Sequence, residues 1–138
     1  MSYESTLINN REKAKQILAF DGLQYGLCRP TDIDLSMDFK KECFIFGELK
    51  STGSTLTVGQ RIHLEGLVDA IRAGGKLAYA FVAHHDTPDC EEDVHVAEAI
   101  VAVHYDGENK WKRISLGVNE YIQAVYDTYK SMKERGIA

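Results

Sequence analysis

Two short stretches carry the residue types that do chemistry. In Thr31–Phe39, TDIDLSMDF, the residues Asp32, Asp34, Ser36 and Asp38 alternate with Ile33, Leu35, Met37 and Phe39. Side chains on a strand alternate between faces with period two, so the polar set shares one face and the apolar set the other. In Cys43–Lys50, CFIFGELK, the residues Phe44, Phe46, Glu48 and Lys50 share a face opposite Cys43, Ile45, Gly47 and Leu49. This second run is nearly all apolar until Glu48, the pattern of a central strand buried on both sides. Glu48 and Lys50 then stand about 6–7 Å apart along one face. Charges buried there are costly unless they are paired or bind something. Carboxylates gathered on neighbouring strands suit a hard divalent cation, magnesium or manganese, better than a softer metal. Two carboxylates with no cation beside them should have raised pKa values. Each group also has a plainer reading: the Asp row as a solvated strand face, and Glu48 with Lys50 as a structural ion pair.

The elements that position these residues follow from the pattern on either side. Ser5–Phe20 reads as an amphipathic helix ended by Asp21-Gly22. Leu23–Cys28 reads as a short first strand, broken by Arg29-Pro30. The two acidic and apolar runs form a hairpin turning near Lys40–Glu42. Ser51–Leu56 is a Gly/Ser/Thr loop, and Thr57 is the expected N-cap of a helix running to Arg72. On that helix Gln60, Leu64, Leu67 and Ile71 form one stripe, widened by Val68. Gln60 is its polar first member and should point at the sheet near Lys50, with His63 one turn on. Arg61, Glu65, Asp69 and Arg72 take the solvent side. Gln60 as a simple helix-start residue is the plainer alternative.

Lys76–His84 reads as a buried strand, Asp86–Asp93 as an acidic loop, and Glu98–Tyr105 with Lys110–Leu116 as a hairpin. Val118–Met132 closes the chain as a helix with Tyr121, Ile122, Val125, Tyr126, Tyr129 and Met132 on its apolar side. Those tyrosines read as core or dimer packing rather than a base-stacking platform. His84-His85, with Cys90 and His95, matches no zinc spacing and reads as a strand end and loop. The order is an α/β sandwich around a mixed sheet, with the central helix joining two parallel neighbours.

Length and composition bound the rest. A chain of 138 residues suggests one domain spanning 1–138. No apolar run is long enough to span a bilayer, so no membrane partner is expected. Dispersed Cys28, Cys43 and Cys90, and an N-terminus without a secretory core, suggest reduced thiols in the cytoplasm. A net charge of −5 argues against coating nucleic acid through bulk charge. Any affinity for DNA must come from local cations, of which Lys13, Lys15, Arg29, Lys40, Lys41, Arg61, Arg72 and Lys76 are candidates.

TDID, then FGELK after a strand-length gap, then GQR opening the next helix, resemble the PD-(D/E)xK nuclease superfamily. Within it the chain looks most like small phage and prophage nucleases related to Holliday-junction resolvases. The resemblance covers Ser5 to His84 and implies a restriction-endonuclease-like αβββαβ core, with an extra C-terminal hairpin and helix. It implies Asp34 as the leading metal ligand, with Asp32 as competitor because the opening Pro-Asp is here Pro30-Thr31-Asp32-Ile33-Asp34. It implies Glu48 as second ligand, the Leu49 carbonyl as third, Lys50 as the residue acting on water and phosphate, and Gln60 as the helix residue added to the site. An acid from the first helix, Glu4 or Glu12, assists in some members. The implied activity is a magnesium- or manganese-dependent DNA endonuclease in phage DNA processing, recombination or repair, with DNA and a second copy of the chain as the expected partners. The alternative is a catalytically silent nucleic-acid- or protein-binding module on the same fold. Chemistry supports the first: a divalent ion lowers the pKa of water and neutralises charge building on an anionic phosphodiester.

Overall fold

In the computed structural model of the chain, residues 18–88 and 93–137 are described. They belong to two compact units, Met1–Pro30 and Thr31–Ala138. In the described part of the first unit, Tyr25 and Cys28 exchange backbone hydrogen bonds of 2.9 and 3.1 Å as one isolated bridge. Gly26, at φ +65°, turns the chain back inside four residues. The strand expected over Leu23–Cys28 is therefore a tight turn. The expected first helix, with Glu4 and Glu12, lies outside the described residues through residue 17, and Leu18–Phe20 are irregular.

The second unit is built on a five-stranded mixed sheet in the order β1-β2-β3-β4-β5. The strands are β1 (Leu35–Phe39), β2 (Cys43–Ser51), β3 (Leu77–His85), β4 (Ile100–Tyr105) and β5 (Lys112–Gly117). Two helices flank it, α1 (Val58–Ala73) between β2 and β3, and α2 (Val118–Glu134) at the end. β2 and β3 run parallel and the other neighbours antiparallel. A parallel pair needs a crossover, which α1 supplies. No described helix is long and apolar enough to cross a membrane. The expected α/β layering thus holds, and of the three strands expected ahead of the crossover helix two form in the sheet.

The β1–β2 hairpin turns on Lys40 and Lys41, both in the left-handed region at φ 55° and 60°. Two consecutive positive φ values form a tight turn closed by the Glu42 N–H donating to the Phe39 carbonyl at 3.0 Å, and Glu42 completes the three-residue connection to Cys43. Asp38 supports the turn: its carboxylate accepts the Lys41 N–H at 2.6 Å. Asp38 therefore serves the hairpin's turn end, away from Asp34.

Cross-strand register sorts β2 onto two faces. Cys43 and Ile45 join Phe81, Ala83, Val101, Tyr121, Val125 and Tyr129 in a core under α2. Phe46 joins Leu64, Val68, Ala78, Ala80 and Tyr105 in a second core under α1. Ala78 and Ala80 are small, which lets the Leu64 and Val68 ridge of α1 settle close to the strand. Gly47 is demanded on the α2 face: a Cβ there would lie 2.4 Å from the Phe81 ring. Of the α1 residues assigned to solvent, Arg61 and Asp69 are exposed and Glu65 and Arg72 half-buried, and they also have partners. Glu65 accepts the Trp111 indole N–H at 2.7 Å, Asp69 accepts the Tyr105 hydroxyl at 2.8 Å, and Arg72 donates to the Ala78 carbonyl at 2.8 Å. They tie the outer edge of α1 to the β4–β5 hairpin and the start of β3.

Candidate functional site

The site is built where β2 leaves the cover of α1. Alternation carries Phe44, Phe46, Glu48 and Lys50 along one face, and α1 covers the two aromatics. Glu48, at 3% exposure, is the one charged residue among the buried described residues. β1 begins at Leu35, opposite Gly47, so Asp34 stands just before the strand, level with the end of β2. There its Oδ2 accepts the Leu49 backbone N–H at 2.8 Å. This bond continues the ladder by one rung with a side chain in place of a carbonyl, and it holds the Asp34 carboxylate beside Glu48.

The electrostatics follow from that placement. Burial first, then the adjacent Asp34 carboxylate, push the Glu48 carboxyl up to about 7. Lys50 pulls it down and Asp32 adds a small push upward. A buried carboxyl beside a second carboxylate resists ionising, so Glu48 holds a proton that an ordinary Glu would have lost; Asp34 itself is exposed. The structural ion-pair reading of Glu48 and Lys50 fails: among the described residues Lys50 forms no ion pair, and its effect on Glu48 is through space.

Gln60 has a local task. Its side-chain oxygen accepts the Thr57 N–H at 3.1 Å, while its own N–H donates to the Thr57 hydroxyl at 3.1 Å. This reciprocal pair caps two of the orphan donors that open α1. The same bonds fix the first turn of α1 after the Ser51–Leu56 loop. His63 is exposed on α1. Asp32 is exposed and reaches Glu48 only as charge.

One residue belongs to this place that sequence periodicity did not assign to it. His84 is the register partner of Lys50 across the β2–β3 pair, so both rise on one face. Its Nε2 donates to the Ser54 carbonyl at 3.1 Å, and the His85 carbonyl accepts the Thr52 N–H at 3.1 Å. The end of β3 therefore ties down the loop that leads from Lys50 to α1. The two apolar runs signal neighbouring buried strands, but neither run reveals which rung meets which.

The donor set can be tested against a divalent cation. Among the described residues, no group of three or more His, Cys, Asp or Glu side chains is placed to hold a metal ion. The pair that converges is Asp34 and Glu48, both hard oxygen donors and both short of positive charge. Backbone carbonyls supply further oxygens in sites for such ions. Asp34 and Glu48 are the kind of hard oxygen donor that magnesium or manganese takes, but they are two rather than three. No family model, curated protein or solved structure matches the chain.

Proposed function

We propose that the end of β2 is a magnesium- or manganese-dependent phosphodiester hydrolase site acting on DNA, on a restriction-endonuclease-like core. The observation that carries this reading is the convergence of Asp34 on buried Glu48, clamped by the Leu49 N–H. Along a strand the N–H and C=O of one residue leave on the same side. The Leu49 carbonyl is thus directed to the Asp34 side, where Asp34, Glu48 and that oxygen would hold the cation. Once bound, the ion supplies Lewis acidity and lowers the pKa of water. The chain's own residues do the remainder. Glu48 must release its proton to bind, so cation affinity rises with pH through about 7. Lys50, unpaired on the same face, offers a point charge to a phosphate oxygen. His84 and the α1 cap hold the loop beside Lys50 in place.

A second reading is a catalytically silent nucleic-acid- or protein-binding module on the same fold. The donor count among the described residues, two converging carboxylates rather than three, weighs toward it. A panel of duplex, single-stranded and branched DNA with magnesium or manganese separates the two. Hydrolysis expects cleavage that falls about 100-fold or more in Lys50→Ala and disappears in Glu48→Gln. Intact substrates throughout, together with manganese binding unchanged by Glu48→Gln, would sink it. Retarded but uncut DNA supports the silent module.

A further inference from the structure

At the other end of β2, about 17 Å from Glu48, the α2 face of the sheet carries a different chemistry. Phe39, Tyr126 and Tyr129 wall a cavity of about 330 Å³ whose rim is set by Lys40, Lys130 and Lys133. Asp38 also lines it, but its Oδ1 is engaged by the Lys41 N–H. The rings are packed on one another: Phe39 lies 5.1 Å from Tyr126 and 6.3 Å from Tyr129, centroid to centroid. Lys130 holds its ammonium 4.7 Å above the Tyr126 ring. Of the two acids at this end, Glu42 is paired with a lysine, while Asp38 is bonded, among the described residues, only to backbone. Glu42 accepts from the Tyr129 hydroxyl and, at 2.7 Å, from Lys133, and its carboxyl is held below the usual range by those bonds and by Lys76. Lys40 and Lys130 make no ion pair among the described residues.

A chain of net charge −5 thus gathers lysines around an aromatic hollow, two of them in no ion pair among the described residues. Like charges brought together are costly unless an anion joins them. The size falls at the small end of ligand pockets, which run about 300–1,000 Å³. Ring walls suit a planar or apolar body, and the lysines suit a phosphate at its edge. We infer that this hollow binds a nucleotide unit, free or as the end of a strand. Its phosphate lies between Lys40 and Lys130, and its ring or sugar against Tyr126 and Phe39. The inference does not depend on the hydrolytic reading, since none of these residues belongs to the Asp34–Glu48 site.

The test is calorimetric titration of the intact protein without divalent cations. The probes are thymidine monophosphate, thymidine, inorganic phosphate, a thymidine octanucleotide and a hexaglutamate peptide. Thymidine monophosphate, the octanucleotide or both should bind about 10-fold or more tightly than thymidine, phosphate or hexaglutamate. Binding of the octanucleotide alone assigns the hollow to a strand end, and binding of the mononucleotide assigns it to free nucleotide. The Lys40→Gln/Lys130→Gln pair should weaken the bound probe about 10-fold. Tyr126→Ala should weaken it about fivefold or more, the loss of one stacking face. Lys50→Ala should leave it unchanged. The inference is overturned if neither nucleotide probe binds, if hexaglutamate binds as well, or if the double lysine variant binds normally. Loss in Lys50→Ala would also overturn it, by placing the ligand at the other end. Lys40 and Lys130 are exposed, so these variants should fold; unchanged melting confirms that binding alone is read.

Discussion

The two faces of β2 differ in how their last residues are treated. Under α2 the strand is filled to its end: the Phe81 ring lies over Gly47, and Tyr121 packs against Phe81 as a tilted pair at 5.3 Å between centroids. Polar atoms drawn in on that side have partners, the Tyr121 hydroxyl with His104 at 3.2 Å and the Tyr129 hydroxyl with Glu42. Under α1 the apolar packing reaches Phe46 and stops. The next residue on that face, Glu48, is as buried as the core but has another carboxylate for a neighbour. One strand therefore contributes stability through one face and carries an electrostatic liability on the other. The liability lies where the apolar cover of α1 ends.

The largest effects should come from the α2 face. Phe81→Ala should cost about 4 kcal/mol in urea unfolding, the toll of an emptied aromatic site. Gly47→Ala should cost about 2 kcal/mol by striking the Phe81 ring, and almost nothing once Phe81→Ala has removed that ring. An additive pair of losses would break the close-packing account of this face.

The α1 face should respond in the opposite direction. As pH rises from 4.5 to about 7, the unfolded chain releases the Glu48 proton before the folded one does. The folded state then binds more protons, so stability falls as pH rises through this window and levels off above it. Glu48→Gln stays neutral throughout. Its advantage should grow from near zero at pH 4 to at most about 3 kcal/mol at pH 8. Equal stabilisation at both pH values would show that the carboxylate pair is not the source.

Manganese should act on the same liability. At pH 8 and about 100-fold over its dissociation constant it should stabilise the native chain by about 2.7 kcal/mol, and leave Glu48→Gln nearly unmoved. A thermal shift of equal size in both proteins would put the ion elsewhere. The smallest effect belongs to the turn joining both faces. Lys40→Asn with Lys41→Gly relieves two left-handed non-glycine residues and should add about 1 kcal/mol, with no change in the pH dependence assigned to Glu48.

Much of this was legible before any coordinates. Period-two alternation separated Cys43, Ile45 and Gly47 from Phe44, Phe46 and Glu48, because a strand leaves its side chains no other choice. Thr57 with Gln60 three residues on marked the start of α1, and Leu64 and Val68 marked its inner stripe. The same pattern misled at Leu23–Cys28, where an apolar alternation contains Gly26 and closes into a turn. It also put Glu65 and Arg72 on the solvent side, where both are half-buried, and was silent on the bonds that Gln60 and Asp69 make. Periodicity reports a direction from the helix axis and not which partner waits there.

The residues alone determined that Glu48 and Lys50 lie on one face of a buried strand and that several aspartates stand on the neighbouring one. Tertiary structure decided which aspartate meets Glu48. The turn at Lys40–Lys41 sets the hairpin register, and the register puts Asp34 level with Glu48, one rung beyond Leu35 and Gly47, while leaving Asp38 at the turn. It decided too that His84 rises beside Lys50, since a parallel pairing across an intervening helix is fixed by how α1 packs, not by anything local to either strand. Spacing along a chain is a local property, whereas the meeting of two carboxylates depends on turns and packing many residues away.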